Sequence, residues 1–126
     1  MKKQNTNVDV LSANLHQQRR QMGAISPHAF AEVYLKNNCS VDYSTMHLEI
    51  FQKLLDITTN RKAKIAIAAP RGHAKSTIVS LVYVLWCALY HKERLILLAS
   101  NTTEQAIALL KDIKYQLTSN PLLCSD

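Results

Sequence analysis

The chain has 126 residues, of which 48% are hydrophobic, so it has room for one domain around one apolar core. Its net charge of +6 suits a polyanionic partner, but the basic residues fall in small separated groups (Lys2-Lys3, Arg19-Arg20, Arg61-Lys62-Lys64, Lys92 with Arg94) that ordinary solvated surface also produces, so charge alone does not establish nucleic-acid binding. Cys39, Cys87 and Cys124 form no C-x-x-C pair and the five histidines no metal-ligand pair, which argues against a structural zinc site or disulfide framework and places the chain in a reducing cytoplasm.

Residues 1–25 are rich in Asn, Gln, Lys and Arg and lack the apolar segment of a secretory signal. They read as a flexible or weakly helical lead-in, followed by a single domain over 26–126. Ser26 is placed to cap a short helix with Pro27 in its first turn. Phe30, Val33, Tyr34 and Leu35 supply its apolar face, and Asn37-Asn38 its end. A second helix is expected over 45–57, where Leu48, Phe51, Leu54 and Leu55 recur at helical spacing.

The pattern changes at Lys64. K-I-A-I-A-A, bounded by basic residues and Pro70, predicts a buried parallel strand. From Lys75 to His91 the chain is apolar nearly all round and too long for one strand, which predicts a buried helix. Its apolar part, 78–90, is short of the roughly twenty residues that span a bilayer. R-L-I-L-L-A at 94–99 predicts a second strand. A final helix is capped by Thr102, with Gln105 at capping-box spacing, and ends at Asn120-Pro121. Ala106, Leu109, Leu110, Ile113 and Leu117 would form its inner face. The order strand, loop, helix, strand, helix implies an α/β chain: parallel strands with crossover helices, preceded by short N-terminal helices. Two strands alone would leave apolar surface uncovered, which predicts a marginally stable isolated chain.

The candidate site is A-P-R-G-H-A-K-S-T at 69–77. A phosphate-binding loop needs inward-pointing backbone N–H groups at a helix N-terminus, a lysine for the β and γ phosphates, and a hydroxyl for Mg²⁺. In the frame G-x-x-x-x-G-K-[ST], both glycines are replaced here, by Ala69 and Ala74, whereas Lys75 and Ser76 are intact. Gly72, one of two glycines in the chain, offers a flexible point within the loop. Residues Ala69, Pro70, Arg71, Gly72, His73, Ala74, Lys75, Ser76 and Thr77 are the expected contacts for ATP, with Ser76 on Mg²⁺. Arg71 could stabilise transition-state charge as an arginine finger does, or could instead fix the loop. None of the nine carboxylates directly follows an apolar run, so the acid that positions water in such enzymes has no counterpart, and the chain reads as an incomplete P-loop fold.

Over residues 43–123 the sequence resembles the ATPase domain of phage large terminase subunits. The likeness is carried by P-R-G-H-A-K-S-T, by S-N-T-T-E-Q-A at 100–106, by the helix ending S-N-P, and by H-L-E-I-F-Q-K-L-L from His47. The resemblance implies a motor that uses ATP to drive double-stranded DNA into a procapsid. It implies partners in a terminase small subunit, a portal protein and a homo-oligomeric ring, with no membrane involvement and a place in the host cytoplasm. It links Arg71 to ATP hydrolysis and matches Lys75 and Ser76 to the phosphate and Mg²⁺ residues. The family's acidic motif, coupling motif and metal-dependent nuclease domain have no counterpart, so the chain reads as an N-terminal piece, from a truncated prophage reading frame or a partial gene. The alternatives are a helicase-like nucleic-acid-stimulated ATPase fragment and a non-catalytic basic remnant that binds nucleic acid or a partner.

Overall fold

The computed structural model describes residues 3–36, 42–60 and 63–126, and for residues 3–9 the backbone alone. The expected helix end at Asn37-Asn38, together with Lys2, Cys39, Arg61 and Lys62, lies outside the described residues. In chain order the helices are α1 (Lys3–Ile25), α2 (Pro27–Tyr34), α3 (Thr45–Thr59), a π-helical segment (Thr77–Val82) that runs directly into α4 (Tyr83–Leu89), α5 (Thr103–Ser119) and α6 (Pro121–Ser125).

Among the described residues there is no strand and no sheet, which overturns the α/β reading: the chain is all-helical. Residues 63–70 and 95–100 carry no regular secondary structure. The physical reason is that a strand is defined by its ladder. Runs such as I-A-I-A and L-I-L-L favour a pleated, half-buried surface, but without a partner in register their backbone groups form no sheet. The period-two pattern survives as exposure. Ile96 and Leu98 lean on the core, whereas Leu95 and Leu97 are 86% and 87% exposed.

The helices form where local chemistry starts and stops them. Ser26 Oγ accepts the Ala29 N–H at 3.1 Å, and Pro27 opens α2 with a fixed φ and no N–H to strand. Thr102 Oγ1 accepts the Gln105 N–H at 3.3 Å at the head of α5. The Gln105 side chain does not return to the cap; its Oε1 accepts the Ser100 hydroxyl at 2.8 Å. Asn120 ends α5 and begins α6, its Oδ1 accepting the N–H groups of Leu122 and Leu123 at 3.1 and 3.4 Å. α3 runs to Thr59, two residues beyond the expected end.

The core is helix on helix. α2 contributes Phe30, Ala31 and Tyr34, α3 contributes Ile50, Phe51 and Leu54, and the π segment with α4 contributes Ile78, Val82, Leu85 and Trp86, all buried. Tyr43 meets Phe51 edge-to-face with ring centroids 5.3 Å apart, a favoured aromatic geometry. α5 presents Ile113 and Gln116 inward, while Leu110 and Leu117 are 46% and 40% exposed. Ala106, Leu109 and Ile113 of the expected inner face do turn inward, and Gln116 takes the place of Leu110 and Leu117, because α5 packs on the π segment rather than across a sheet.

The polar lead-in is helical over Lys3–Ile25 and packs along α2. Polar contacts hold its C-terminal half. The Trp86 indole N–H donates to the Gly23 carbonyl at 3.0 Å, and the Tyr90 hydroxyl donates to the Arg20 carbonyl at 3.0 Å. A Cβ on Gly23 would strike the Tyr90 hydroxyl and lie 3.0 Å from Tyr34 Cε2, so a larger residue there would push these two rings aside. Lower on α1, Arg19 and His16 grip the Asp126 carboxylate, with the Arg19 Nε–H donating at 2.9 Å and the Tyr34 hydroxyl at 2.8 Å. The Arg19 guanidinium holds the Asp126 carboxyl well below the usual carboxylate range, with the Tyr34 and His16 donors adding to the effect. Among the described residues, no helix is long and apolar enough to cross a membrane.

Candidate functional site: the 69–77 loop

Pro70 blocks any continuation of regular hydrogen bonding from the segment before it, and the chain then turns tightly before helix begins at Lys75. The turn uses two residues of left-handed backbone, Gly72 at φ 82° and Ala74 at φ 48°. Gly72 adopts this freely; Ala74 does so against the steric preference of an L side chain. Two left-handed residues separated by one of negative φ bend the chain sharply, a turn of the kind from which backbone anion nests are built. Among the described hydrogen bonds, the N–H groups of Gly72, His73, Ala74 and Lys75 donate to no carbonyl. They lead into the first helical turn, which begins at Lys75 and where the helix dipole adds partial positive charge.

Three of the loop's carbonyl oxygens, by contrast, are held by side chains, and the Ala74 carbonyl accepts the Ile78 N–H at 2.9 Å. Lys75 Nζ reaches back to donate to the Ala69 carbonyl at 3.3 Å, closing the loop on itself. His73 Nδ1–H donates to the Arg71 carbonyl at 3.1 Å. His47 Nε2–H, from the first turn of α3, donates to the His73 carbonyl at 3.1 Å. Because a carbonyl can only accept, His47 carries its proton on Nε2. Its Nδ1 then accepts the Ser44 N–H at 3.1 Å, capping α3.

Residues 70–74 are exposed and Lys75 is half-buried. Among the described residues, the Arg71 guanidinium and the Ser76 hydroxyl have no hydrogen-bond or ion-pair partner, so both are available to a ligand. Lys75 and Ser76 also border a cleft of about 340 Å³ walled by Leu54, Ile57, Ile65, Ile67, Val79 and Tyr83. At its floor the Tyr83 hydroxyl donates to Thr58 Oγ1 at 2.9 Å, since the Thr58 hydroxyl is already committed to the Leu54 carbonyl. Burial pushes the Tyr83 phenol up to about 12, keeping it neutral. No carboxylate lines this cleft.

The helix that carries Lys75 and Ser76 is π-helical over Thr77–Val82, a widened turn of the kind often found at functional sites. The sequence pattern placed the helix but not its π character, and named His47 only as the first residue of the H-L-E-I-F-Q-K-L-L stretch. The spacing Ser44-x-x-His47, an N-cap followed by a side-chain acceptor at the third helical position, is the signal that points to it. Among the described residues, no cluster of three His, Cys, Asp or Glu side chains could hold a metal ion. A Mg²⁺ carried by phosphates needs no such cluster, because substrate oxygens and water complete its coordination around a single hydroxyl. Compared with protein-family models, with curated proteins and with solved structures, the chain matches none of them.

Proposed function

We propose that the 69–77 loop binds the phosphates of Mg²⁺-ATP, and that the chain serves as the nucleotide-binding piece of a viral DNA-packaging motor acting in the host cytoplasm. One observation carries the first half of this reading. The loop offers the unpaired N–H groups of residues 72–75 at a helix N-terminus, while the carbonyls of Ala69, Arg71 and His73 are held by side chains. An anion approaching residues 72–75 meets N–H donors beside three carbonyls that are already held. Lys75 would exchange the Ala69 carbonyl for a phosphate oxygen, a stronger charge-assisted bond. Ser76 would offer its hydroxyl to Mg²⁺, and Arg71 its guanidinium to the γ-phosphate. The arrangement depends on the loop and the helix after it, not on a sheet.

The second half rests on the resemblance to large terminase subunits, which supplies the double-stranded DNA substrate, the small-subunit and portal partners and the oligomeric ring. With no carboxylate in the cleft beside Lys75 and Ser76, this piece binds nucleotide without efficient turnover. The test is calorimetric titration of Mg²⁺-ATP into the natural chain and into Lys75→Ala. Loss of one charge-assisted contact predicts a roughly 10- to 100-fold weaker Kd in the variant. Equal binding by both chains, or binding by neither, refutes the phosphate reading.

A further inference from the structure

We propose that His47 is the positioning residue of the phosphate loop, a role that rests on the nucleotide-binding reading above. Side chains tie down three carbonyls of the loop, those of Ala69, Arg71 and His73. Two of the ties come from within the loop and its own helix, Lys75 and His73. Only the third comes from elsewhere in the fold, the 3.1 Å bond from His47 Nε2–H on α3 to the His73 carbonyl.

The peptide joining His73 to Ala74 is trans, so its C=O and N–H point in opposite directions. Drawing the His73 carbonyl toward α3 therefore turns the Ala74 N–H away from α3. That same peptide leads into Ala74, which sits at φ 48° and is not held there by its own preference. A flip of the 73–74 peptide would relieve the strain and bring a carbonyl oxygen to the place of an N–H donor. His47 opposes the flip from outside the loop.

The imidazole is itself fixed for this task. With Nδ1 accepting from the Ser44 N–H, the neutral ring has its one proton on Nε2, where it faces the loop. α3 in turn is seated by Ile50, Phe51 and Leu54 in the core, so the loop's shape is referred to the rigid part of the fold through one side chain.

Two amide substitutions separate capping from positioning. In His47→Asn the side-chain oxygen matches Nδ1 and can accept from Ser44, but no donor reaches His73. In His47→Gln the terminal amide nitrogen matches Nε2 and can donate to the His73 carbonyl. With Mg²⁺-ATP as the probe, at a temperature where all chains are folded, His47→Asn should bind about two- to tenfold more weakly than the natural chain. His47→Gln should recover most of the loss. Nitrogen-15 spectra of the ligand-free protein should show the His47 ring protonated on Nε2.

Lys75-dependent binding that His47→Asn leaves unchanged overturns this inference alone. So does equal weakening in the Asn and Gln variants, or a ring protonated on Nδ1. Absence of Lys75-dependent binding in the natural chain overturns the phosphate reading and this one with it.

Discussion

Ala74 stands in left-handed backbone at φ 48°, at the loop position where a glycine would be expected. An L residue there costs about 1–2 kcal/mol relative to right-handed backbone, a cost that glycine avoids. Ala74→Gly removes that strain but also loosens the unfolded chain, which offsets about 0.4–1 kcal/mol. The balance predicts a net stabilisation of about 0.5–1 kcal/mol, or roughly 2–4 °C in Tm for a chain of this size. Gly72 provides the opposite experiment. Its φ is 82° and nothing lies within 4 Å of where a Cβ would stand, so Gly72→Ala meets strain without a clash. It should destabilise by a similar amount, about 0.5–1 kcal/mol. Urea unfolding of the three chains measures both shifts, and their opposite signs are the critical result. Destabilisation by Ala74→Gly, or shifts of the same sign for both, would refute the left-handed conformation of the loop. Mg²⁺-ATP affinity should be kept or improved in Ala74→Gly, because the nest is preserved.

Two further outcomes follow from the packing of α1. Gly23→Ala would press a methyl group against the Tyr90 hydroxyl and the Tyr34 ring, and the overpacking cost, less the ~0.5–1 kcal/mol that alanine gains inside a helix, should leave a net destabilisation of about 0.5–2 kcal/mol in urea unfolding; a stabilisation would exclude the close approach of α1 to Tyr34 and Tyr90. The Asp126 carboxyl has a folded pKa below its unfolded value, so the unfolded state binds more protons in the acid range and stability rises with pH there. The stability gap between the natural chain and Asp126→Asn should be full above about pH 5, shrink as pH falls through the unfolded value near 4, and vanish in stronger acid; a gap independent of pH from 6 to 2 would contradict the Arg19–Asp126 pairing.

The helices were legible in the sequence because their causes are local. Ser26 before Pro27 and Thr102 before a periodic apolar run each place a hydrogen-bond acceptor beside unpaired N–H groups, and the structure uses both; Asn120-Pro121 ends α5 as expected but also opens α6, a helix the sequence pattern did not suggest. The loop frame was legible in the same way, since Lys75, Ser76 and the turn residues are neighbours in the chain. Residues 64–69 and 94–99 show where that kind of reading stops. Their composition favours a strand, but a strand depends on a second segment in register, which composition does not specify, and the folded chain provides none among the described residues.

Sequence by itself determined the starts of α2, α3 and α5 and the turn that leads into helix at Lys75, because these arise from residues a few positions apart. Tertiary structure alone decided that the core is helix on helix and that α5 turns Gln116 inward. It also decided that Gly23 admits Tyr34 and Tyr90, and that His47 reaches the His73 carbonyl. Those contacts join residues far apart in the chain, and they form only once burial of Phe30, Leu54 and Trp86 has fixed the relative positions of the helices.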